Sequence, residues 1–252
     1  MAHGLTLDHA AWSSPWRRRS VRDKAVLSLG LLLAAVSLPP FPGGVAVALV
    51  SLSLLLGPIR LGWARLGRIG WLPVVSILIG VATVAISPSW EGGPRLQVSS
   101  AGLTMAGVLA VRAVAATLAM FTLACSTPMV DLLSALGRAR VPEALIEIAA
   151  LVYRFTFGLL ESVGAIHAAQ EARLGYSNRS AAMRSASMGV AMLFVRSWDR
   201  ARRLEDGLAG RGYEDSLRTL EPGRVRSARF LAASVVLLAG IAGVSVAWEV
   251  LR

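Results

Sequence analysis

The sequence predicts an all-α integral membrane protein with about five transmembrane helices and a charged helical domain that contains two long helices. Hydrophobic residues make up 55% of the 252-residue chain. Many of them fall in runs of roughly 17–25 residues, the length that an α-helix needs to cross a bilayer. Residues 126–225, by contrast, are rich in arginine and in acidic side chains. This segregation is typical of a membrane protein with a large domain outside the bilayer.

Four parts follow from this pattern. An amino-terminal segment, 1–24, precedes four transmembrane helices within 25–125; the charged domain covers 126–225, and the last transmembrane helix lies within 229–252. The individual spans are predicted at 25–41, 43–57, 69–88, 101–125 and 229–251. The second span is short, and the prolines at 39, 40 and 42 join it closely to the first, so these two form a hairpin.

Basic residues predict the orientation in the membrane. They cluster before the first span and between the second and third spans: Arg17, Arg18, Arg19, Arg22, Lys24, Arg60, Arg65 and Arg68. Between the third and fourth spans only Arg95 appears, and Glu91 offsets it. The positive-inside rule then places the amino terminus and residues 126–225 in the cytoplasm. We expect a multi-pass protein of the inner (cytoplasmic) membrane, whose net charge of +11 is first a signal of topology.

Several functional classes are disfavoured by residues that are missing. The only lysine, Lys24, follows Asp23, so the glycine–lysine step of a phosphate-binding loop does not occur. Basic groups flank the spans without aromatic interleaving, so we expect no nucleic-acid partner. The histidines and the single cysteine are too scattered to predict a metal site or a nucleophilic triad: His3, His9, His167 and Cys125. We therefore predict a non-catalytic protein without a metal site.

The charged domain begins with a short helix. Thr127 followed by Pro128 is a helix-start signal, because the hydroxyl can cap free amides and proline needs no donor there. Apolar residues follow at helical spacing, and Gly137 and Pro142 end the helix. The apolar stripe consists of Met129, Leu132, Leu133 and Leu136.

Two longer helices follow. The first is predicted from Pro142 to Leu174, about 50 Å long, with Gly175 as its end. The second starts at Asn178 or Ser180 and ends at Gly212. Their apolar stripes are Leu145, Ile148, Val152, Phe155, Leu159, Val163 and Ile166 in the first, and Phe194, Trp198, Ala201, Leu204 and Leu208 in the second.

These two helices end in similar sequences. The pattern Ala-x-x-Gly-Tyr occurs at 172–176 and again, 37 residues later, at 209–213, although the arginine stands one place later in the second copy. One interpretation is purely structural, because glycine caps helix ends and arginine is favoured near the negative end of the helix dipole. The other is functional: Arg173 and Arg211 would present guanidinium groups to carboxylates or carbonyls of another subunit.

Arg112 lies midway along the fourth predicted span. An unpaired cation there would cost a few kcal/mol or more. Either Arg112 faces the helix bundle, a partner or water, or the predicted boundary of the span is misplaced.

The chain resembles the transmembrane T component of energy-coupling factor transporters, most closely the cobalt-type Q protein. The resemblance covers nearly the whole chain and is most specific over 126–213. It is carried by Leu7-Asp8-His9-Ala10, Lys24, Thr127-Pro128, Leu133-Ser134-Ala135-Leu136, Arg140-Val141-Pro142, Tyr153-Arg154-Phe155, Glu161 and the two arginine-bearing helix ends.

The resemblance implies a role for those helix ends. In that family two alanine-arginine-glycine motifs end coupling helices, which dock in grooves of two ABC-type ATPase subunits and support the substrate-binding subunit. The implied ATPase-coupling residues are Ala172, Arg173, Leu174, Gly210, Arg211 and Gly212. Leucine replaces glycine at 174, and glycine replaces alanine at 210.

The resemblance also implies partners and a substrate. The chain would be the coupling subunit of an ATP-driven importer, with ATP and Mg²⁺ bound by the two ATPases and no cofactor in this chain. A membrane S component would carry the substrate, in the cobalt case an M-type subunit, with or without a small N-type subunit. Cobalt ion is the implied substrate; nickel or a vitamin is the alternative.

Two other classes stay open on the residues alone. An intramembrane enzyme would turn over a lipid or diphosphate substrate without partners. A passive scaffold or channel would give no ATP-dependent uptake when expressed with ATPases.

Overall fold

The computed structural model describes residues 3–89, 95–98, 100–213 and 227–251, and side chains are described at 7–8, 10–86, 100–213 and 227–251. These residues fold almost entirely into α-helices, which confirms the predicted all-α class. The α-helices are α1 His3–Ser13, α2 Val21–Ser37, α3 Val45–Leu56, α4 Trp63–Ala85, α5 Ser100–Ala124, α6 Met129–Arg138, α7 Glu143–Ala172, α8 Arg179–Ala209 and α9 Ala228–Val250. Shorter elements are a 3₁₀ turn, Pro15–Arg18, a π turn, Pro40–Gly44, and two strands, β1 Ile86–Ser89 and β2 Arg95–Val98, which pair antiparallel.

The chain forms two compact units. The first contains Met1–Leu132 and Pro222–Arg252, and the second contains Leu133–Glu221. The second unit lies within the predicted charged domain, 126–225, of which residues 214–225 fall outside the described residues. Its location in the cytoplasm stays a prediction.

In the first unit, α5 packs against α2, α3 and α4, and α9 packs against α2. Small side chains line α5 where it meets its neighbours, and both Ala115 and Ala119 are fully buried. Small residues let helix backbones approach closely, which is how helices associate where lipid removes the hydrophobic driving force. Apolar side chains from the other helices complete this core: Leu27, Leu31, Ala35, Val47, Leu55 and Ile241.

A helix lies at each of the five predicted span positions. Three of them, α4, α5 and α9, are long and apolar enough to cross a membrane, by length and composition. The other two are shorter, with 17 residues in α2 and 12 in α3. The number of helices that cross the bilayer therefore stays a prediction.

Two helices begin earlier than the apolar runs predicted. The first helix starts at Val21 and not at 25, and α4 starts at Trp63 and not at 69. Hydropathy detects only the apolar part of a helix, whereas the backbone hydrogen bonds continue through a charged first turn. Lys24 consequently lies inside α2, where it is buried and its Nζ donates to the carbonyl oxygen of Ser126 at 2.8 Å.

Arg112 lies in the middle of α5, whose bounds differ by one residue at each end from the predicted span, 101–125. Its side chain is half-buried and its Nη2 donates to the carbonyl oxygen of Leu38, at the end of α2, at 3.5 Å. The residue faces the bundle, as one of the two sequence interpretations required.

The three helices predicted within the charged domain are present as α6, α7 and α8. Of the two candidate N-caps for α8, Asn178 and Ser180, the N-cap is Asn178. Its Oδ1 accepts a hydrogen bond from the backbone N–H of Ala181 at 2.8 Å. Pro142 directly precedes α7.

Candidate functional site

The helices α7 and α8 form an antiparallel pair. Gln170, near the end of α7, donates from Nε2 to the carbonyl oxygen of Ser185, near the start of α8, at 2.8 Å. In the middle, Gly158 of α7 lies against the guanidinium of Arg200. At the other end Glu147 of α7 accepts a hydrogen bond from Tyr213, just beyond α8.

The end of α7 is closed by three backbone hydrogen bonds. The N–H groups of Arg173 and Gly175 donate to the carbonyl oxygen of Gln170 at 3.1 and 2.8 Å, and that of Leu174 donates to Glu171 at 2.9 Å. Leu174 has a φ of 56°. A six-residue closure with one left-handed residue is a Schellman cap, which satisfies carbonyls that the helix leaves free.

The end of α8 repeats this closure. Arg211 and Tyr213 donate to the carbonyl oxygen of Leu208 at 3.0 and 3.1 Å, Gly212 donates to Ala209 at 3.2 Å, and Gly212 has a φ of 70°. The backbone therefore superposes Arg173 on Arg211 and Leu174 on Gly212. Equivalent positions of the two caps are 38 residues apart, whereas the two copies of the Ala-x-x-Gly-Tyr pattern are 37 residues apart. This difference explains why the pattern misaligned the arginines.

The predicted role of Gly175 as the capping residue is wrong. The left-handed position is Leu174, and Gly175 follows it. Glycine is needed at 175 for another reason: a Cβ there would lie 2.6 Å from Ser185 Oγ and 2.8 Å from the carbonyl oxygen of Gln170. The sequence could not reveal this close approach, which depends on the docking of α8.

Both arginines are exposed, and they lie at opposite ends of the helix pair. Arg173 precedes the start of α8, and Arg211 follows its end; at about 1.5 Å per residue, the 31 residues of α8 extend about 46 Å. Leu174 beside Arg173 is 75% exposed. We call the segments 170–176 and 208–213 the first and second tips.

Each tip is fastened to α7 by a tyrosine. At the first tip Tyr176 donates to Gln170 Oε1 at 2.8 Å and stacks on His167, with ring centroids 4.7 Å apart, and Ser185 Oγ donates to the carbonyl oxygen of Gly175 at 2.8 Å. At the second tip Tyr213 donates to Glu147 Oε1 at 2.6 Å. Sequence reasoning recorded both tyrosines without assigning them a role; their recurrence after the arginines was the available signal.

The predicted apolar stripes of the long helices are partly exposed. Leu145, Ile148 and Val152 of α7 are 57–59% exposed, and Phe194 and Trp198 of α8 are 67% and 57% exposed. Small or polar residues lie on the α8 face towards α7, including Ser185 and Gly189. The exposed stripes are therefore available for a neighbouring protein or lipid.

Potential metal ligands are not clustered in the described parts of the chain, where no group of three or more His, Cys, Asp or Glu residues converges. His167 contacts only one carboxylate, with its Nδ1 3.8 Å from Glu171 Oε2. The side chains of His3 and His9 lie outside those described.

Comparison with known proteins identifies the family of the chain. Residues 13–220 match the family model described as cobalt transport protein CbiQ. The cobalt transport protein CbiQ of Rhodobacter capsulatus is 38% identical over 94% of this chain and 96% of its own length, and that of Salmonella typhimurium is 32% identical over 75% of this chain and 88% of its own. A putative fused cobalt transport protein CbiMQ of Methanocorpusculum labreanum is 28% identical over 82% of this chain and 36% of its own length. A match over most of the chain, together with helices long and apolar enough for a bilayer, shows that this membrane protein belongs to the CbiQ family of cobalt transport proteins.

Proposed function

We propose that this chain is the coupling subunit of an ATP-driven cobalt importer. Its two tips dock in two ABC-type ATPase subunits, and the chain passes their motion to a substrate-binding membrane subunit. The observation that carries the proposal is that two exposed arginines occupy the same position in two identical helix caps, at opposite ends of one helix pair. Ordinary helix termination requires neither the repeated arginine nor its exposure.

The chemistry of the tips suits a protein partner. Each arginine is exposed and directly precedes a left-handed residue, at a helix end where the cap hydrogen bonds already satisfy two carbonyl oxygens. A guanidinium can form two parallel hydrogen bonds to one carboxylate or bind several carbonyl oxygens. The ATPase-coupling segments are thus Ala172-Arg173-Leu174 and Gly210-Arg211-Gly212.

Transmission requires an element that keeps its shape. The hydrogen bonds of Tyr176 and Tyr213 hold both tips on α7, so a displacement at either tip moves the helix pair. The contacts between the tips and the ATPase subunits then differ between the ATP-bound and ATP-free states. This difference in contacts drives the conformational change.

The partners and location follow from the same proposal. ATP and Mg²⁺ bind to the ATPases, and this chain carries no catalytic step. The fused CbiMQ relative supports an M-type subunit as the substrate-binding partner, with a small N-type subunit as a further member. The second unit and the amino terminus face the cytoplasm from the inner membrane, where ATP is available.

Single substitutions at the tips test the proposal. Arg173→Ala and Arg211→Ala, expressed with the two ATPases and the M-type subunit, should each reduce co-purification of ATPase and cobalt uptake by about tenfold or more, because a buried charged hydrogen-bond pair is lost at the interface. Uptake is measured with radioactive cobalt in whole cells, and membrane insertion by the amount of chain in the membrane fraction.

A matched control uses an exposed arginine of α8 away from both tips. Arg196→Ala removes the same charge and should retain uptake and ATPase binding. Normal uptake in both tip variants, or an equal loss in Arg196→Ala, would contradict the proposal.

A further inference from the structure

Exposed arginines gather at one end of the first unit. They come from the amino-terminal segment, the connection between α3 and α4, and the first turns of α4 and α9. We call them the arginine rim: Arg18, Arg22, Arg60, Arg65, Arg68 and Arg229, all exposed.

Contacts within the unit bring these segments together. The Trp16 ring packs edge-on against Phe230 of α9, with centroids 5.2 Å apart, and Arg19 lies over the Phe230 ring at 4.6 Å. Asp23 Oδ2 accepts a hydrogen bond from the backbone N–H of Ser227 at 3.3 Å. In addition, α1 packs against α4 and α5. The starts of α2, α4 and α9 therefore share one end of the unit.

Part of the rim adjoins the apolar parts of two candidate membrane spans. Because α4 and α9 have the length and composition of membrane spans, the bilayer core of about 30 Å covers their apolar parts. Arg65 and Arg68 stand in the first two turns of α4, and Arg229 in the first turn of α9. A bilayer that covers those apolar parts would place the guanidinium groups of these three arginines at the depth of the headgroup phosphates.

Positive charge dominates at this end. Among side chains that the structure describes there, the acidic ones are Asp8, Asp23 and Asp131, and Asp23 already accepts a hydrogen bond from Ser227. The rim arginines outnumber them two to one, before Arg17, Arg19 and Lys24 are added. Each cation near a membrane surface favours anionic lipid.

We propose that the arginine rim binds the headgroup phosphates of anionic phospholipids in preference to zwitterionic ones. Exposed aromatic residues support a lipid over a protein or a free phosphate. Trp12 and Trp63 are 44% and 69% exposed beside the rim, where indole rings prefer the membrane interface. The outer face of α4 continues from the rim as exposed apolar surface, with Leu78 and Ile79 61% and 64% exposed.

Lipid exchange tests this inference on the full chain in detergent. The tagged protein is equilibrated with equal amounts of phosphatidylglycerol and phosphatidylcholine, captured, and its bound lipids are quantified by mass spectrometry. We expect about fivefold or greater enrichment of phosphatidylglycerol, since one arginine near the surface contributes about that factor. A triple variant, Arg65→Gln, Arg68→Gln and Arg229→Gln, removes three of the six cations and should lower this enrichment to less than half.

A matched triple variant in the second unit controls for net charge. Arg184→Gln, Arg196→Gln and Arg203→Gln remove three exposed arginines and should retain the enrichment. Soluble glycerophosphoglycerol should fail to displace the lipid. No enrichment in the unaltered chain, an equal loss in both triple variants, or displacement by the soluble headgroup would overturn the inference.

A second rim variant guards against a folding defect in the first. Arg18→Gln with Arg22→Gln leaves α4 and α9 unaltered and should also lower the enrichment, with helix content by circular dichroism unchanged. Full enrichment in this variant and in a folded triple variant would equally overturn the inference. Coupling to ATPases is a separate proposal. Lipid enrichment does not test it, and ATPase co-purification does not test the preference for anionic lipid.

Discussion

Leu174 is the residue where sequence and backbone conformation disagree. It occupies the left-handed position of the first tip, where the equivalent residue of the second tip is Gly212. A β-carbon makes this conformation unfavourable by about 1–2 kcal/mol. The same cap in the two tips therefore has different intrinsic stability, and the first tip depends more on the contacts of Gln170, Tyr176 and Ser185.

Exchanging the two residues tests this difference. Leu174→Gly should raise the free energy of unfolding by about 1 kcal/mol, because it relieves the backbone strain of a side chain that is mostly exposed. The midpoint of thermal unfolding, followed by circular dichroism of the full chain in detergent, should rise by about 2–4 °C.

The reciprocal change, Gly212→Leu, is the control. A Cβ at Gly212 would meet no atom within 4 Å, so the substitution adds strain without a steric clash. It should lower the midpoint by a similar amount. A lower midpoint for Leu174→Gly would show that the leucine side chain stabilises the tip more than its backbone conformation destabilises it.

At the scale of the elements, the two tips are attached to α7 by separate hydrogen bonds. Gln170 bridges the first tip, and Tyr213 with Glu147 fastens the second. Substituting one attachment should therefore loosen one tip and leave the other in place.

Hydrogen exchange can test whether the two tips are attached independently. Gln170→Ala removes two side-chain hydrogen bonds, each worth about 1 kcal/mol, so amide protection across 173–178 should fall by about 5–30-fold. Protection at 211–213 should not change. Tyr213→Phe should give the opposite pattern, and loss of protection at both tips in either variant would refute independent attachment.

The sequence predicted the existence and type of these elements better than their contacts. Helical periodicity and the start signals at Pro142 and at Asn178 or Ser180 predicted α7 and α8, since both signals are local. Periodicity could not show which face packs inward, and apolar residues such as Phe194 and Trp198 prove to be exposed. Gly189 lies between the helices, where a Cβ would be in van der Waals contact with the side chains of Ile166 and Gln170 of α7, and hydropathy does not record such a position.

The candidate site was likewise predicted in its residues but not in its contacts. Both arginines were identified from a repeated motif, but their alignment, the left-handed Leu174 and the anchoring tyrosines required the backbone. The family resemblance was confirmed over most of the chain. The coupling role of the tips stays a proposal, because contact with an ATPase is a property of a complex.

For the molecule as a whole, the proposed coupling depends on α8 being a continuous, rigid helix between the two ATPase subunits. Its 31 residues place one arginine at each end of the helix pair, so a bend in α8 would weaken the transmission of force from one tip to the other. Val190 lies in its interior and is 69% exposed, so it can be replaced without disturbing a buried contact.

Val190→Pro should interrupt α8 and leave both tips intact. Proline removes a helix hydrogen bond and clashes with the preceding turn, at a cost of about 3 kcal/mol. In the assembled transporter we expect ATPase co-purification to persist and cobalt uptake to fall, since docking needs only the tips whereas transmission needs the helix. Val190→Ala, which keeps the helix, should transport normally. If Val190→Pro also transports normally, a rigid α8 is not the element that carries the motion.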